Sequence, residues 1–260
     1  MQIISMCLLT FALNVHPTYP FLMIANRDEF YDRPTQSLHQ WREHPDIWGG
    51  RDLKAAGTWM AMAQKGKFAA VTNYRDPKNI NPDARSRGEL VTAFLQQEGA
   101  ALPYMETIKK ESRLYNGFNL LTMDIAEMSM LHFSNYEGKI NVLHQGVFGL
   151  SNALLDTPWP KLTRLKQTFE QRIRDPFEPE DLICLLEDRT PAPDHELPKT
   201  GVPIEWERVL SSVCIQSEGY GTCSHTVLAI DRDKHVSYIE KTRAVGGRVE
   251  EIKKIAFDCR

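Results

Sequence analysis

The stretch CLLTFALNVHPTYPFLMIANRDEF constrains the fold of this chain more than any other, because two apolar runs flank the turn HPTYP. Pro17 and Pro20 each lack a backbone donor and clash with a helical preceding turn, so no helix can run through the segment. Two strands folding back as a hairpin are the remaining solution. Centring the turn on Pro17-Thr18 or on Thr18 places Cys7 opposite Asp28 or Glu29, beside the polar cluster NRDE. Neighbours along a strand alternate between faces, so the register decides whether Asn26 and Asp28 or Arg27 and Glu29 lean toward the sulfur. A bulge would bring Arg27 and Asp28 near together.

Met6-Cys7 gives that placement a second meaning. If translation starts at Met6, or if MQIISM is cut off as a short propeptide, Cys7 becomes an N-terminus. Its α-amine, with a pKa of ~8, is then a base for its own thiol at neutral pH. The alternative is an inert cysteine inside a first strand, an ordinary place for a free thiol. Likewise NRDE is ordinary composition for a strand end meeting water, and acquires chemistry only with Cys7 opposite it: a guanidinium favours thiolate and a carboxylate orients an amine.

The remaining pattern is mixed. TWMAMAQKGKFAAVTNYR predicts a second hairpin turning at Lys65-Gly66. SRGELVTAFLQQ, with Ser86 and Glu89 in capping-box spacing, and LPYMETIKKESRLY predict helices. FNLLTMDIAEMSMLHFS and KINVLHQGVFGLSN predict strands meeting at Glu137-Gly138, and PWPKLTRLKQTFEQRI a helix. The Pro-rich 175–205 region predicts a surface excursion with one short helix, before strands in VCIQ, SHTVLAIDR, HVSYIEKT and VEEIKKIAF. Runs of strands separated by helices, without strict βαβ alternation, predict an α+β layered domain with mostly antiparallel sheets.

Composition narrows the function. A net charge of −3 with both signs interspersed excludes the clustered basic face that nucleic acid or an anionic membrane needs. Five cysteines, irregularly spaced in a chain of 260 residues, favour a reducing compartment, and a cytoplasmic location is expected. The apolar start lacks a basic flank and is too short to span a bilayer. Nucleotide-binding glycine loops, nucleophile elbows, CxxC and HExxH are all absent, and the eight histidines show no ligand spacing, so neither a cofactor nor a metal is expected.

Taken together, MCLLTFALNVHPTYPFLMIANRDEFYDRPT, WGGRDLKAAGTWMAM, AAVTNYRDP, SRGELV, GLSNALLDTPWPKL and YGTCSHTVLAIDR resemble the NRDE family, also called the transport and Golgi organization 2 family. The resemblance runs from Cys7 to about residue 240. Members of that family begin Met-Cys, which makes residues 1–6 a prefix or propeptide and 7–260 a single domain. The family in turn looks like a distant relative of N-terminal nucleophile cysteine hydrolases, the branch with penicillin V acylase and bile salt hydrolase. That likeness implies a four-layer αββα sandwich with two stacked antiparallel sheets, and a site made of Cys7, Arg27, Asp28, Asn73 in VTNY and Asn152 in LSNALLD. Side-chain or backbone amides of the two asparagines suit an oxyanion, since they donate without adding a competing charge. One departure stands out: GTCSHT puts Cys223 where this family usually has an arginine, with His225 nearby as a substitute charge or as a neutral strand residue. Trp48, Trp59 and Trp159 line a pocket or belong to the core.

The resemblance implies a Cys-dependent amidohydrolase or acyltransferase acting on a small acyl-amide or thioester. Its alternative is a non-catalytic carrier for an apolar ligand such as haem, acyl-CoA or lipid, in keeping with the family's association with Golgi organisation, lipid metabolism and haem mobilisation. A scaffold with a vestigial site is a third reading, favoured by the lost arginine. Either way the partner is a small molecule, and oligomeric state is not encoded in the pattern.

Overall fold

The structure, a computed structural model, describes residues 6–259. The prefix MQIIS lies outside them, and the expected removable segment therefore enters the description only at Met6. In chain order the elements are β1 (Met6–Leu13), β2 (Phe21–Phe30), β3 (Thr35–Gln40), β4 (Ile47–Asp52), β5 (Met60–Ala63), β6 (Lys67–Asn73), α1 (Gly88–Gln96), α2 (Ala101–Glu111), β7 (Phe118–Asp124), β8 (Ser129–Ser134), β9 (Ile140–Leu143), β10 (Gly146–Leu150), α3 (Pro160–Arg172), a 3-10 segment Pro179–Glu187, α4 (Ile204–Val209), β11 (Tyr220–Ile230), β12 (His235–Arg243) and β13 (Val249–Asp258). They form a six-stranded sheet, β10-β1-β2-β11-β12-β13, and a seven-stranded sheet, β3-β4-β5-β6-β7-β8-β9. Neighbouring strands in both sheets are antiparallel.

Alternation along the strands builds the layers. Leu9, Phe11, Leu13, Phe21 and Met23 of the first sheet meet Met60, Met62, Phe68 and Leu121 of the second, making the core between the sheets. Their neighbours Leu8, Ala12, Leu22 and Ile24 point the other way, onto Leu162, Leu165 and Phe169 of α3 and Leu182 and Leu186 of the 3-10 segment. On the outer face of the second sheet Ala61, Ala69 and Val71 pack against Leu90, Val91 and Phe94 of α1 and Met105 and Ile108 of α2. Both faces of each sheet are thus covered, which gives the expected four-layer αββα sandwich.

Several local expectations are corrected. Asn14, at φ 52°, starts the first loop, and its N–H donates to Pro20 O at 2.8 Å, closing the loop symmetrically about Pro17. The register consequently slips from the expected one: Leu13 faces Phe21, and Cys7 faces Arg27 instead of Asp28 or Glu29. No capping box forms at Ser86, since the Glu89 carboxylate accepts from the Tyr115 hydroxyl at 2.5 Å and pairs with Arg85 at 2.6 Å. VCIQ is not a strand. Cys214 N–H donates to Asp188 O and Ile215 N–H to the Thr222 hydroxyl, so this run pins two loops to the sheet. The short helix of the Pro-rich region is a 3-10 segment, and the polar strand β3 and Gly-rich β4 have no apolar alternation by which to be found.

Candidate active site

The site begins where β1 and β2 run out of apolar residues. Cys7 shares its face with Leu9 and Phe11, so its half-buried thiol looks between the sheets. Arg27 and Glu29 share the face of Met23 and Ala25 and lean the same way. At this end the two sheets part around a cleft of about 610 Å³, lined among others by Cys7, Arg27, Glu29, Trp59, Asn73 and Arg87. The Arg27 guanidinium lies 4.3 Å above the Trp59 ring and 3.6 Å from Glu29, which is also 3.6 Å from Arg33. Arg33 is held by Asp52 at 2.6 Å, while Arg87 donates to Gly117 O at 3.1 Å.

With Met6 still attached, the sulfur is poorly nucleophilic. Burial pushes the Cys7 thiol up to about 12, and the nearby Asp28 carboxylate adds to that; Arg27 and the Asp28 backbone N–H oppose it without winning. The α-nitrogen of Cys7 belongs to the same residue as the sulfur. That nitrogen lies between the pairs Met6–Asp28 and Cys7–Arg27, so the strand register sets Asp28 across from it.

Asn73 and Asn152 come together. Asn73 ends β6 on the wall of the cleft, and Asn152, 1 % exposed, donates its side-chain amide to Asn73 O at 3.0 Å. Arg75 N–H donates to Asn152 O at 2.7 Å, and the Thr72 hydroxyl to Ser151 O at 3.0 Å. The loop after β10 is therefore stitched to the end of β6, with Asn73 facing the cleft and Asn152 behind it. Of the three tryptophans, Trp59 lines the cleft; Trp48 stacks on Phe257 in the core, and Trp159 lies under Arg75 at 4.6 Å.

Behind β2 lies a different environment. Asn26 and Asp28 point toward the α3 layer. The Asn26 amide donates to Leu186 O at 3.0 Å and Val213 O at 2.8 Å, and its oxygen meets His225 Nδ1 at 2.6 Å. Arg243 donates to the other His225 nitrogen, which must then be unprotonated. Burial and the adjacent Arg243 push His225 down to about 3, so it is a neutral strand residue carrying no replacement charge. Cys223 sits on a β-bulge with its sulfur against Glu29 O, and burial raises its thiol to about 12, so it too is neutral. Asp28 accepts from the Thr222 hydroxyl at 2.6 Å, and burial lifts its carboxyl to about 6. Lys161 stands nearby with 2 % exposure. Sequence reasoning passed over it, although its signal was available: Lys161, Leu165 and Phe169 share one helical face, and the other two are core residues. Among the described residues no cluster of three or more metal-ligating side chains is present.

The family profile described as Transport and Golgi organisation 2 matches residues 6–244, nearly the whole chain and every segment of this site. The chain belongs to that family. It is 36% identical over 259 residues to the Transport and Golgi organization protein 2 homolog of Bos taurus, covering 91% of this chain and 93% of the relative. The Homo sapiens homolog is likewise 36% identical, over 257 residues. Among solved structures, the Caenorhabditis elegans ortholog of N-acylethanolamine-hydrolyzing acid amidase superposes with a TM-score of 0.51, covering 85% of this chain and 92% of that one. At 13% identity that likeness is one of fold alone: this Transport and Golgi organisation 2 family chain shares its layered sandwich with that protein.

Proposed function

We propose that this chain is a Cys-dependent amidohydrolase or acyltransferase whose nucleophile is Cys7 freed as an N-terminus. The observation that carries the reading is the pairing of Met6–Cys7 with Asp28–Arg27, which sets a future α-amine beside a carboxylate and the sulfur beside a guanidinium in an open cleft. In the processed protein the amine lone pair takes the thiol proton, and the thiolate attacks the carbonyl carbon of a small acyl-amide or thioester. The oxyanion meets the Asn73 side, which Asn152 holds in place. The amine or thiol leaves with the proton, and water or another acceptor resolves the thioester on Cys7.

The charged lining of Arg27, Glu29, Arg33 and Arg87 supports a polar acyl substrate over the alternative of an apolar cargo such as haem. All five cysteines are free thiols, which fits a cytoplasmic, reducing setting. Among the described residues no helix is long and apolar enough to cross a membrane.

Two measurements test the proposal. Intact mass of protein expressed from its own gene should show loss of MQIISM. An electrophilic acyl probe should then label wild type and Cys223→Ala but not Cys7→Ala; equal labelling of Cys7→Ala and wild type would sink the reading.

A further inference from the structure

Lys161 occupies a position where packing calls for an aliphatic side chain. It lies in the first turn of α3 on the face that buries Leu162, Leu165 and Phe169, and is itself 2 % exposed. Among the described residues its Nζ has no hydrogen-bond partner. An ammonium held out of water without an acceptor costs several kcal/mol, and a cation at a helix N-terminus opposes the macrodipole as well. A leucine there would satisfy every local rule, so the charge itself calls for a role.

Its surroundings indicate which. The parity of β2 turns Asp28 toward the α3 layer in which Lys161 is buried, so that the two opposite charges favour each other's ionised form, and Thr222 of β11 donates to the Asp28 carboxylate at 2.6 Å. The other charges facing the pair are already engaged. Arg75, after β6, is bound to Glu207 of α4 at 2.6 Å, and Arg27 lies on the cleft side of β2 with Glu29 and Trp59. Cys7 of β1 and Tyr220 of β11 complete the enclosure, both neutral because burial raises the thiol and the phenol.

We propose that Lys161 is a positioning residue for the Cys7 amine: its ammonium keeps Asp28 ionised inside the protein, and the ionised Asp28 accepts an N–H of that amine and aims the lone pair at the thiol. The inference rests on the reading of Cys7 as nucleophile. Lys161 also opposes protonation of the amine in its resting state, as a second cation does beside a reactive lysine, while Asp28 stabilises the ammonium once the thiol proton has moved. Burial holds the lysine down to about 8 and the aspartate up to about 6, so between those values both are charged.

The test reads Asp28 directly. The infrared carboxyl band of Asp28, isolated as wild type minus Asp28→Asn, is followed against pH in wild type, Lys161→Met and Lys161→Arg. The band midpoint should rise by about one pH unit or more in Lys161→Met and stay near wild type in Lys161→Arg. The acid limb of Cys7 labelling by the acyl probe should move with it. An unchanged band midpoint in folded Lys161→Met overturns the inference. Should that variant not fold, the reciprocal measurement decides: the Lys161 ammonium titration, followed by NMR, must fall in Asp28→Asn, and a constant value overturns the inference. Wild type that shows the coupling but no labelling of Cys7 would retain the Lys161–Asp28 pair while removing the nucleophile reading on which its role depends.

Discussion

At its polar end β2 presents two unlike faces, one to the cleft and one to the helix layer. On the cleft side Arg27 and Glu29 sit in a chain of ion pairs that continues through Arg33 to Asp52, with contacts at 3.6 and 2.6 Å. On the helix side Asn26 and Asp28 enter a buried network in which Asn26 ties the 3-10 segment, the Val213 loop and His225 to one strand. Four consecutive residues therefore divide their duties by parity. The odd pair faces the cleft, and the even pair is engaged in buried hydrogen bonds behind it. Polar residues on one strand are thus no single functional unit, and their substitutions should separate cleanly into effects on stability and effects on reactivity.

The strongest way to break that division is on the helix side. Glu207→Gln leaves the Arg75 guanidinium buried without its 2.6 Å partner and should cost about 3–5 kcal/mol, read from urea unfolding. Asn26→Ala removes donors from two buried carbonyls and an acceptor from His225 and should cost about 2–4 kcal/mol, with the loss present at every pH in the folded range. If Asn26→Ala unfolds like wild type, the even face is not structural.

Asp28 should behave in the opposite sense. Its folded carboxyl titrates at about 6 against an ordinary 3.8, so the stability this group contributes is present below pH ~4 and lost as pH rises through about 6. Asp28→Asn should accordingly be more stable than wild type at pH 8, by up to about 3 kcal/mol, and gain nothing at pH 4, while its Cys7 labelling falls. Thermal melts at the two pH values check this, and a variant less stable at pH 8 would contradict it. The smallest effect on stability belongs to the cleft. Arg27→Gln leaves the buried Glu29 with Arg33 as its remaining cation and should cost about 1–2 kcal/mol, yet slow probe labelling about tenfold, because it removes the cation that favours thiolate. Loss of stability without loss of labelling would reverse the assignment of the two faces.

Much of the frame was legible because it rests on local physics. The double-proline turn dictates a hairpin, the period change at SRGELV a helix, and the apolar alternation in FAAVTNY a buried strand. The register was not, and one residue mattered. The turn residues permit several centres, and the one adopted depends on Asn14 taking a left-handed conformation that closes onto Pro20. β3 and β4 were invisible for a different reason: TQSLHQ and IWGGRD carry little alternation, and β3 is anchored by side chains far along the chain, Glu240 accepting from Leu38 N–H at 2.6 Å and Lys253 donating to the Ser37 hydroxyl at 2.7 Å. Lys161 escaped notice because a lysine between proline and leucine at a helix start reads as solvated, although its spacing from Leu165 and Phe169 puts it on the buried face of α3.

By itself the sequence determined the family, the layered α+β class and the meeting of Cys7 with NRDE, since all three depend on turn chemistry, periodicity and motifs written in consecutive residues. The tertiary structure decided which of those residues share the sulfur's face, that Asn152 stands behind Asn73, and that a lone ammonium accompanies Asp28. The physical reason is that facing and burial are properties of register and layer contact, set by the closure of one hairpin loop and by residues far apart in the chain, while the electrostatic value of a side chain depends on both.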